Sequence, residues 1–264
     1  MKPYAIYLKS AKYLAEGIIS QDPNDSLTDR QERILGFNQS VMDNLRVLLI
    51  GAGGLGGEIA QGLARKGVGS IKIFDGDTIT LSNLSRQFFY KEDLYKNKAV
   101  CLGKNLVKEC IKKTRIVCYP FMFQKAKKEE IDTSCDIVIC APDNDEVRIY
   151  ASKFFLNKVP VIFTGLDVAA NSGYVFIQKP GEACFGCAFP NSINRKRNPC
   201  PNTPAIIDIG KVIAGLVLRV TDSAVMERKI NLNYRQFFLD GSVPEFVRVV
   251  EKQSSCQLCG AIKC

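Results

Sequence analysis

Histidine is absent from this chain of 264 residues. Its absence excludes the side chain that most often serves as a general base in enzymes. Any chemistry must therefore use Asp, Glu, Lys, Arg, Tyr or Cys side chains, or a bound metal ion.

Long apolar runs are also absent. No run approaches the roughly 20 residues that a membrane-spanning helix needs. The amino-terminal sequence MKPYAIYLKSAKYL lacks the continuous apolar stretch and the small-residue cleavage site of a signal peptide. We therefore expect a cytoplasmic protein with no membrane partner.

Long basic tracts are missing too, although the net charge is +9, from 36 Lys and Arg against 27 Asp and Glu. The basic residues form only short clusters, such as Lys112-Lys113, Lys127-Lys128 and Arg195-Lys196-Arg197. A lysine-rich surface explains the charge, and attraction to an acidic partner or a polyphosphate is the alternative. We expect no nucleic-acid partner.

The chain does contain an alternation of apolar strands and amphipathic helices, with 46% hydrophobic and 24% charged residues overall. This alternation predicts an α/β, Rossmann-like fold with a mostly parallel sheet flanked by helices. Strands are predicted at 46–50, 71–75, 114–119, 135–141, 159–164, 173–178, 231–241 and 245–252, and helices near 9–16 and at 58–66, 97–113 and 205–220.

We expect one domain spanning residues 1–264, with three sections. Residues 1–44 form an amino-terminal arm, 45–165 a nucleotide-binding core and 166–264 a substrate-facing section.

A glycine turn follows the first predicted strand and opens the first long helix. It carries Gly51, Gly53, Gly54 and Gly56, and Asp75 lies about 20 residues later at the end of the second strand. Glycines allow a tight turn and close approach of a phosphate, and an acid in this position can hold ribose hydroxyls. The pattern indicates a nucleotide, but NAD, FAD and ATP all fit it.

Nine of the eleven cysteines divide into two groups. One group lies in apolar segments and is interpreted as reduced core thiols: Cys101, Cys110, Cys118, Cys135 and Cys140. The other forms two Cys-x-x-Cys pairs, Cys184 with Cys187 and Cys256 with Cys259. Four thiolates suit a tetrahedral structural zinc ion, and a redox motif is the alternative. Because roughly 70 residues separate the pairs, the fold must bring them together.

Further motifs resemble the ThiF/MoeB superfamily, whose relatives include the ubiquitin-activating enzymes. The resemblance runs from about residue 29 to residue 260. It is carried by the glycine turn, the stretch DGDTITLSNLSRQFFYKEDLYKNKA, the segment PDNDEVR at Pro142–Arg148 and the two cysteine pairs. It implies ATP-dependent adenylation of a carboxyl group, and it supports closure of the four cysteines around one zinc ion without a catalytic role.

The resemblance also implies roles for the residues that match. Arg86 and Lys98 supply positive charge to phosphate oxygens. An acid after a parallel strand can hold Mg²⁺ that bridges phosphates, and Asp143 stands in that position. Because a carboxylate substrate is already ionised, no histidine is needed. The remaining nucleotide contacts are expected from Asp77, Asn83, Gln87 and Asn144.

The segment DRQERILGF resembles the amino-terminal arginine stretch of the family. In relatives, an arginine there reaches the nucleotide of the neighbouring subunit. Arg33 is the matching residue and Arg30 its upstream companion. The resemblance therefore implies a homodimer in which Arg33 acts in trans, whereas an arginine on a helix surface is the simpler alternative.

One more cysteine, Cys200, lies in the segment where some relatives carry a covalently reacting thiol. The nearby basic cluster at residues 195–197 would lower its pKa. A mobile loop with incidental basic residues is the alternative.

The substrate most often adenylated in this superfamily is the carboxyl-terminal glycine of a small ubiquitin-like or sulfur-carrier protein. The alternative is a ribosomally made precursor peptide in antibiotic (RiPP) biosynthesis. Two other classes stay open: an NAD-dependent oxidoreductase, which leaves Asn83, Arg86 and Lys98 without a purpose, and a catalytically idle module that binds a ubiquitin-like partner.

Overall fold

The computed structural model describes residues 6–8, 26–126, 134–193, 204–226, 232–241 and 245–260. The predicted helix near residues 9–16 lies outside them. The strands are β1 (Ile6–Leu8), β2 (Arg46–Ile50), β3 (Ser70–Phe74), β4 (Arg115–Tyr119), β5 (Ile137–Cys140), β6 (Val161–Leu166), β7 (Ser172–Gln178), β8 (Tyr234–Phe238) and β9 (Phe246–Arg248). The helices are α1 (Asp29–Glu32), α2 (Gln39–Asn44), α3 (Gly54–Arg65), α4 (Lys98–Val107), α5 (Asp145–Phe154), α6 (Phe185–Ala188) and α7 (Ile207–Val225).

Within the described residues, the nine strands form one sheet in the order β1-β4-β3-β2-β5-β6-β7-β8-β9. The five strands from β4 to β6 in this order run parallel, and β1, β7, β8 and β9 are antiparallel to their neighbours. The predicted Rossmann-like fold with a mostly parallel sheet flanked by helices is therefore confirmed.

Both faces of the parallel strands are covered, which explains why they are mostly apolar. In β2, Val47 and Leu49 pack into the cluster formed with α3, α4 and α7. Leu48 and Ile50 point to the other face and pack into the cluster that contains α5. A strand buried on two sides thus separates two hydrophobic layers.

The helix boundaries differ from the predicted ones. α3 begins at Gly54, four residues before the predicted start, because the glycine turn itself forms the first helical turn. α4 ends at Val107 and not near residue 113, because the chain tightens at Lys108, whose N–H bonds the carbonyl of Asn105 at 3.1 Å. α7 continues to Val225, beyond the predicted end at residue 220.

The strand order reverses between β2 and β5. From β2 the chain proceeds through α3 to β3 on one side, whereas β5 pairs with the other side of β2. The carboxyl ends of β2 and β5 therefore meet at a topological switch point, where open α/β sheets bind their ligands.

Antiparallel strands extend the sheet beyond β6. β7 folds back on β6 with Leu166 opposite Gly173, and β8 and β9 follow in sequence. Among the described residues, no helix combines the length and the apolar character that crossing a membrane requires.

Candidate active site

The glycine turn between β2 and α3 requires glycine at two positions. Gly51 has a φ of 97°, and a Cβ there would lie 2.7 Å from the carbonyl oxygen of Ala141. A Cβ at Gly56 would lie 2.0 Å from the carbonyl oxygen of Gly51. Beside Gly53, no described atom lies within 4 Å of the Cβ position. The first N–H groups of a helix have no partner within the helix, so the first turn of α3, next to this open space, suits a phosphate.

Asp75 follows β3 and holds the backbone of the glycine turn by a hydrogen bond. Its Oδ2 accepts the N–H of Ala52 at 2.7 Å, and its Oδ1 accepts the N–H of Asp77 at 2.8 Å. Burial raises the pKa of Asp75, against the lowering effect of these two N–H groups and of Lys98. Each carboxylate oxygen of Asp75 can accept a second hydrogen bond, which leaves room for ribose hydroxyls. The contact with ribose stays a prediction.

Lys98 and Asp77 lie together at the start of α4. The Nζ of Lys98 is 3.1 Å from Oδ2 of Asp77, and the N–H of Lys98 donates to the carbonyl of Asp77 at 2.9 Å. The side chain of Lys98 is only 13% exposed, whereas that of Asp77 is 47% exposed. The structure thus places this ammonium group beside the Asp75 loop and does not leave it as a freely solvated helix-start lysine.

Asn97 connects these groups, although the sequence reasoning assigned it no role. Its Nδ2 donates to the carbonyls of Asp75 at 2.9 Å and Asp77 at 3.2 Å, and its Oδ1 caps α4 by accepting the N–H of Val100 at 3.1 Å. An asparagine immediately before an amphipathic helix is an N-cap signal that could have identified it.

Asn83 organises the loop that carries Arg86 and Gln87. Its Oδ1 accepts the N–H of Thr80 at 3.0 Å, and its carbonyl accepts the N–H groups of Arg86 at 3.1 Å and Gln87 at 2.9 Å. One lone pair of its side-chain oxygen is used inside the turn, and a contact between the Asn83 amide and a nucleotide stays a prediction.

Arg86 lies beside the amino terminus of α3. A Cβ at Gly54 would lie 3.4 Å from the carbonyl oxygen of Arg86. The guanidinium donates to the carbonyl of Ser82, and within the described part of the chain no carboxylate forms an ion pair with it. The Oε1 of Gln87 is buried without a hydrogen-bond partner among the described residues. Both side chains thus keep capacity for a ligand.

Asp143 and Asn144 form the connection from β5 to α5, at the switch point. Asn144 caps α5 through its Oδ1, which accepts the N–H of Val147 at 3.0 Å, and its Nδ2 donates to Oδ1 of Asp143 at 3.1 Å. Asp143 is exposed, and its carboxylate has no ion pair among the described residues. One free carboxylate beside a phosphate turn fits Mg²⁺, which protein sites bind through one or two carboxylates together with phosphates.

Arg33 lies far from the glycine turn of its own chain. It ends α1, pairs with Asp29 at 2.9 Å and is 64% exposed. The neighbouring Gln31 donates to the carbonyl of Lys66 at 3.3 Å, at the carboxyl end of α3. Because α3 rises about 1.5 Å per residue, that end lies roughly 18 Å from Gly54. The structure does not bring Arg33 to the residues described above.

The four cysteines of the two pairs do come together. Their sulfur atoms all lie within 4.8 Å of one another and could hold a metal ion. The Sγ atoms of Cys184 are 3.8 Å from Cys187 and 3.5 Å from Cys256, and Cys187 is 3.5 Å from Cys259. A Zn–S bond of about 2.3 Å gives a tetrahedral edge of about 3.8 Å. The distances and the ligand type therefore fit zinc.

Backbone N–H groups support this thiol cluster. Gln253 donates to Sγ of Cys187 at 3.3 Å and Leu258 to Sγ of Cys256 at 3.4 Å. Burial works to raise the pKa of Cys256, but hydrogen bonds from the backbone of Cys259 and Leu258 and from the Cys184 and Cys187 thiols lower it to about 7. Burial raises the pKa of the Cys184 and Cys259 thiols. Of these three thiols Cys256 therefore ionises most readily, and the ionised form is the metal ligand.

Cys200 lies outside the described residues, so its covalent role stays a prediction.

Arg148 in α5 carries no sequence signal beyond its place in the PDNDEVR segment, yet it is buried and bonds the backbone of the Asp143 connection.

Several known proteins are similar to this chain in sequence. The model of the ThiF family matches residues 29–259. The adenylyltransferase and sulfurtransferase MOCS3 of Dictyostelium discoideum is 30% identical over 236 residues, covering 84% of this chain and 53% of that protein. The molybdopterin-synthase adenylyltransferase of Escherichia coli (strain K12) is 29% identical over 163 residues, covering 60% of this chain and 66% of that protein. The chain thus spans about half the length of the first relative.

Solved structures with a similar fold include Escherichia coli MccB. Its complex with succinimide has a TM-score of 0.71 at 20% identity, covering 90% of this chain and 75% of MccB. Its complex with ATP has a TM-score of 0.70 at 19% identity, covering 91% of this chain and 75% of MccB. At these identities the similarity shows that the fold is shared.

Proposed function

The chain belongs to the ThiF family, and we propose that it uses ATP to adenylate a carboxyl group. In this reaction a carboxylate oxygen attacks the α-phosphorus of ATP, the bond to the bridging oxygen of pyrophosphate breaks, and an acyl adenylate and pyrophosphate form. Relatives named as adenylyltransferases support this class of reaction.

The observation that carries the proposal is the set of loops that meet around the glycine turn. Gly51 abuts Ala141, next to the Asp143 connection, and Gly54 abuts the backbone of Arg86. Ala52 bonds Asp75, which leads through Asp77 to Lys98. A phosphate on the first turn of α3 would therefore have cations beside it and a free carboxylate nearby.

This arrangement meets the main electrostatic requirement of adenylation. The attacking carboxylate and the triphosphate are both anionic, so the site must supply positive charge and hold the two partners in line. Arg86, Lys98 and the amino terminus of α3 supply that charge. Mg²⁺ held by Asp143 would neutralise phosphate oxygens. No residue has to remove a proton from the substrate, which accords with the absence of histidine.

We assign zinc, not another metal, to the four thiols, with a structural role only. All four positions of a tetrahedral ion are filled by cysteine, so none is open to substrate. The cluster packs with Leu258 against Ile149 and Leu156 from α5 and the residues that follow it. The ion would therefore bind the carboxyl-terminal segment to the body of the protein.

The carboxyl group most consistent with the relatives is the terminal glycine of a small ubiquitin-like or sulfur-carrier protein. One relative is the NEDD8-activating enzyme E1 catalytic subunit of Dictyostelium discoideum, 30% identical over 184 residues, covering 63% of this chain and 41% of that protein. A precursor peptide is the second candidate. It is favoured by the extent of the fold similarity to MccB, which has been solved with the peptide MccA.

The proposed assembly is a homodimer in which Arg33 acts in trans. The neighbouring Gln31 contacts the carboxyl end of α3, which lies roughly 18 Å from Gly54 at the start of the same helix, and this supports a role for Arg33 outside its own glycine turn. The residues around it also suit an interface, since Leu35 is 96% exposed and Ile34 51% exposed. A second copy of the chain would cover these apolar side chains, and Arg33 would then reach the nucleotide bound to that second copy.

ATP–pyrophosphate exchange tests the proposed function. Exchange that depends on a protein ending in Gly-Gly would support carrier activation, and exchange that depends on a short precursor peptide would support the second candidate. Bound ATP without exchange for any candidate would favour an idle binding module, and binding of NAD instead of ATP would refute the proposal. In a carrier reaction, replacing Cys200 should leave exchange intact and abolish any thiol-linked conjugate.

A further inference from the structure

Arg148 is a buried cation in the first turn of α5. It is 8% exposed, and its Nη1 pairs with Oδ1 of Asp145 at 2.8 Å. Its Nε is buried without an acceptor among the described residues. A buried cation with an unpaired N–H lowers stability compared with an apolar side chain of similar size. Its placement therefore points to a task other than stabilising the core.

The second terminal nitrogen of Arg148 joins the connection after β5 to strand β6. Nη2 donates to the carbonyl of Pro142 at 2.6 Å and to the carbonyl of Thr164 at 3.2 Å. Pro142 belongs to the connection after β5, and Thr164 lies in β6. The guanidinium thus fixes the Asp143 connection against the neighbouring strand.

The backbone of β6 leaves room for this contact. A Cβ at Gly165 would lie 2.8 Å from Nη2 of Arg148 and 3.0 Å from Cε1 of Tyr174. Glycine at this position is what lets the guanidinium reach both carbonyls.

Few contacts hold the side chain of Asp143 in place. Among the described residues, its carboxylate accepts one hydrogen bond, from the amide of Asn144. Its position therefore depends on the backbone, which the Asn144 cap holds on one side. On the other side, the carbonyl of Pro142 belongs to the peptide unit that leads into Asp143, and Arg148 holds that carbonyl.

We propose that Arg148 is a positioning residue that sets Asp143 in place for the metal–nucleotide complex by holding the Pro142 carbonyl against β6. The inference rests on the proposed function, because Asp143 has a task only if the site binds Mg²⁺ and ATP.

The test compares Arg148→Met, which removes both carbonyl bonds, with Asp145→Asn as the matched control. The amide introduced by the control substitution keeps an acceptor for the guanidinium and leaves the bonds to Pro142 and Thr164 possible. For each full-length variant, binding of a fluorescent ATP analogue is titrated with Mg²⁺, and backbone hydrogen exchange is measured over residues 141–147. Thermal unfolding confirms that each variant folds.

We expect Arg148→Met to raise the Mg²⁺ concentration for half-maximal ATP binding by about 10- to 100-fold and to speed exchange over residues 141–147. Asp145→Asn should change the Mg²⁺ requirement by less than about threefold. In an Asp143→Asn background, Arg148→Met should add almost nothing, because both act through one group. If the Met variant does not fold, Arg148→Lys replaces it, with a smaller shift in the same direction.

Three results would overturn the inference: an unchanged Mg²⁺ requirement in the folded Arg148 variant, effects of the Arg148 and Asp143 changes that multiply, or unchanged hydrogen exchange over residues 141–147. Failure of the proposed function gives a different pattern. ATP binding that depends on Mg²⁺ and on Arg148, without pyrophosphate exchange, would refute adenylation and leave the positioning role standing.

Discussion

Removing the metal from the four-cysteine cluster should strongly destabilise this protein. A tetrahedral ion would join Cys187 to Cys256 and close a loop of roughly 70 residues. Cross-linking such a loop removes chain entropy from the unfolded state worth about 4 kcal/mol. Since domains of this kind are stable by about 5 to 15 kcal/mol, we expect chelation, or the Cys256→Ser and Cys259→Ser double variant, to remove a large fraction of the free energy of unfolding.

The assay is urea unfolding of the zinc-loaded protein, of the chelated protein and of the variants, with zinc content measured on the same samples. Cys110→Ala is the matched control, because Cys110 is buried but lies outside the cluster. Its loss should cost only about 1 kcal/mol, from the apolar area that is removed. For the wild-type protein, the free energy of unfolding should rise by about 1.4 kcal/mol for each tenfold increase in free zinc above the dissociation constant.

A zinc-free wild-type protein with an unchanged unfolding midpoint would refute the reasoning. So would a double variant no less stable than Cys110→Ala. Loss of ATP binding in zinc-free protein that remains folded would refute the purely structural role of the ion.

The remaining predictions concern the nucleotide site. Arg86→Ala should lower the rate of pyrophosphate exchange by about 10²- to 10³-fold with little change in stability, because it removes one donor to the developing charge. Equal mixing of Arg33→Ala and Asp143→Ala chains should restore about a quarter of wild-type exchange, because half the dimers are mixed and each has one intact site. Burial raises the pKa of Asp75 above 3.8, so its stabilising contribution is complete below pH 3.8 and is lost as the pH rises through the raised pKa. Asp75→Asn should lack that loss, which urea midpoints measured at a series of pH values would show.

Each of these predictions has a control or a contradicting outcome. Arg65→Ala removes an exposed arginine that pairs with Glu109, and it should leave exchange unchanged. Mixed chains that exchange subunits but recover no activity would count against Arg33 in trans. A constant stability difference between wild type and Asp75→Asn at every pH would show that Asp75 does not titrate differently in the folded chain.

Much of the fold could be predicted because its signals are local. The central strands, such as Arg46–Ile50 and Ile137–Cys140, are short, mostly apolar runs, and the glycine turn directly follows the first of them in the sequence. Helix ends were less predictable. The glycine turn itself forms the first turn of α3, and the tightened backbone at Lys108 ends α4 early, so neither boundary follows from the apolar spacing alone.

The residues of the candidate site also differ in whether the sequence alone could predict them. Charged residues in a recognisable pattern, such as Arg86 and Lys98, were predicted from the sequence as site residues, and their roles stay predictions. Arg148 was not predicted, because it bonds backbone carbonyls in other parts of the chain, and a carbonyl partner leaves no trace in residue type. Asn97 was also missed, although its place before an amphipathic helix is an N-cap signal. Asp143 and Asn144 were both predicted to contact nucleotide, but only the structure showed that the Asn144 side chain caps α5.

The sequence by itself determined the kinds of chemistry open to this protein. The glycine turn indicated a nucleotide and the two cysteine pairs indicated a metal held by thiols, while adenylation of a carboxylate was implied by the resemblance to the ThiF/MoeB superfamily. Only the tertiary structure decided where these groups meet. The reversal of strand order between β2 and β5 brings Gly51 against Ala141, and closure of the carboxyl-terminal segment brings Cys256 and Cys259 to Cys184 and Cys187. Both contacts join residues far apart in the chain, and such contacts are set by the packing of the whole sheet and its two hydrophobic layers, which no local pattern specifies.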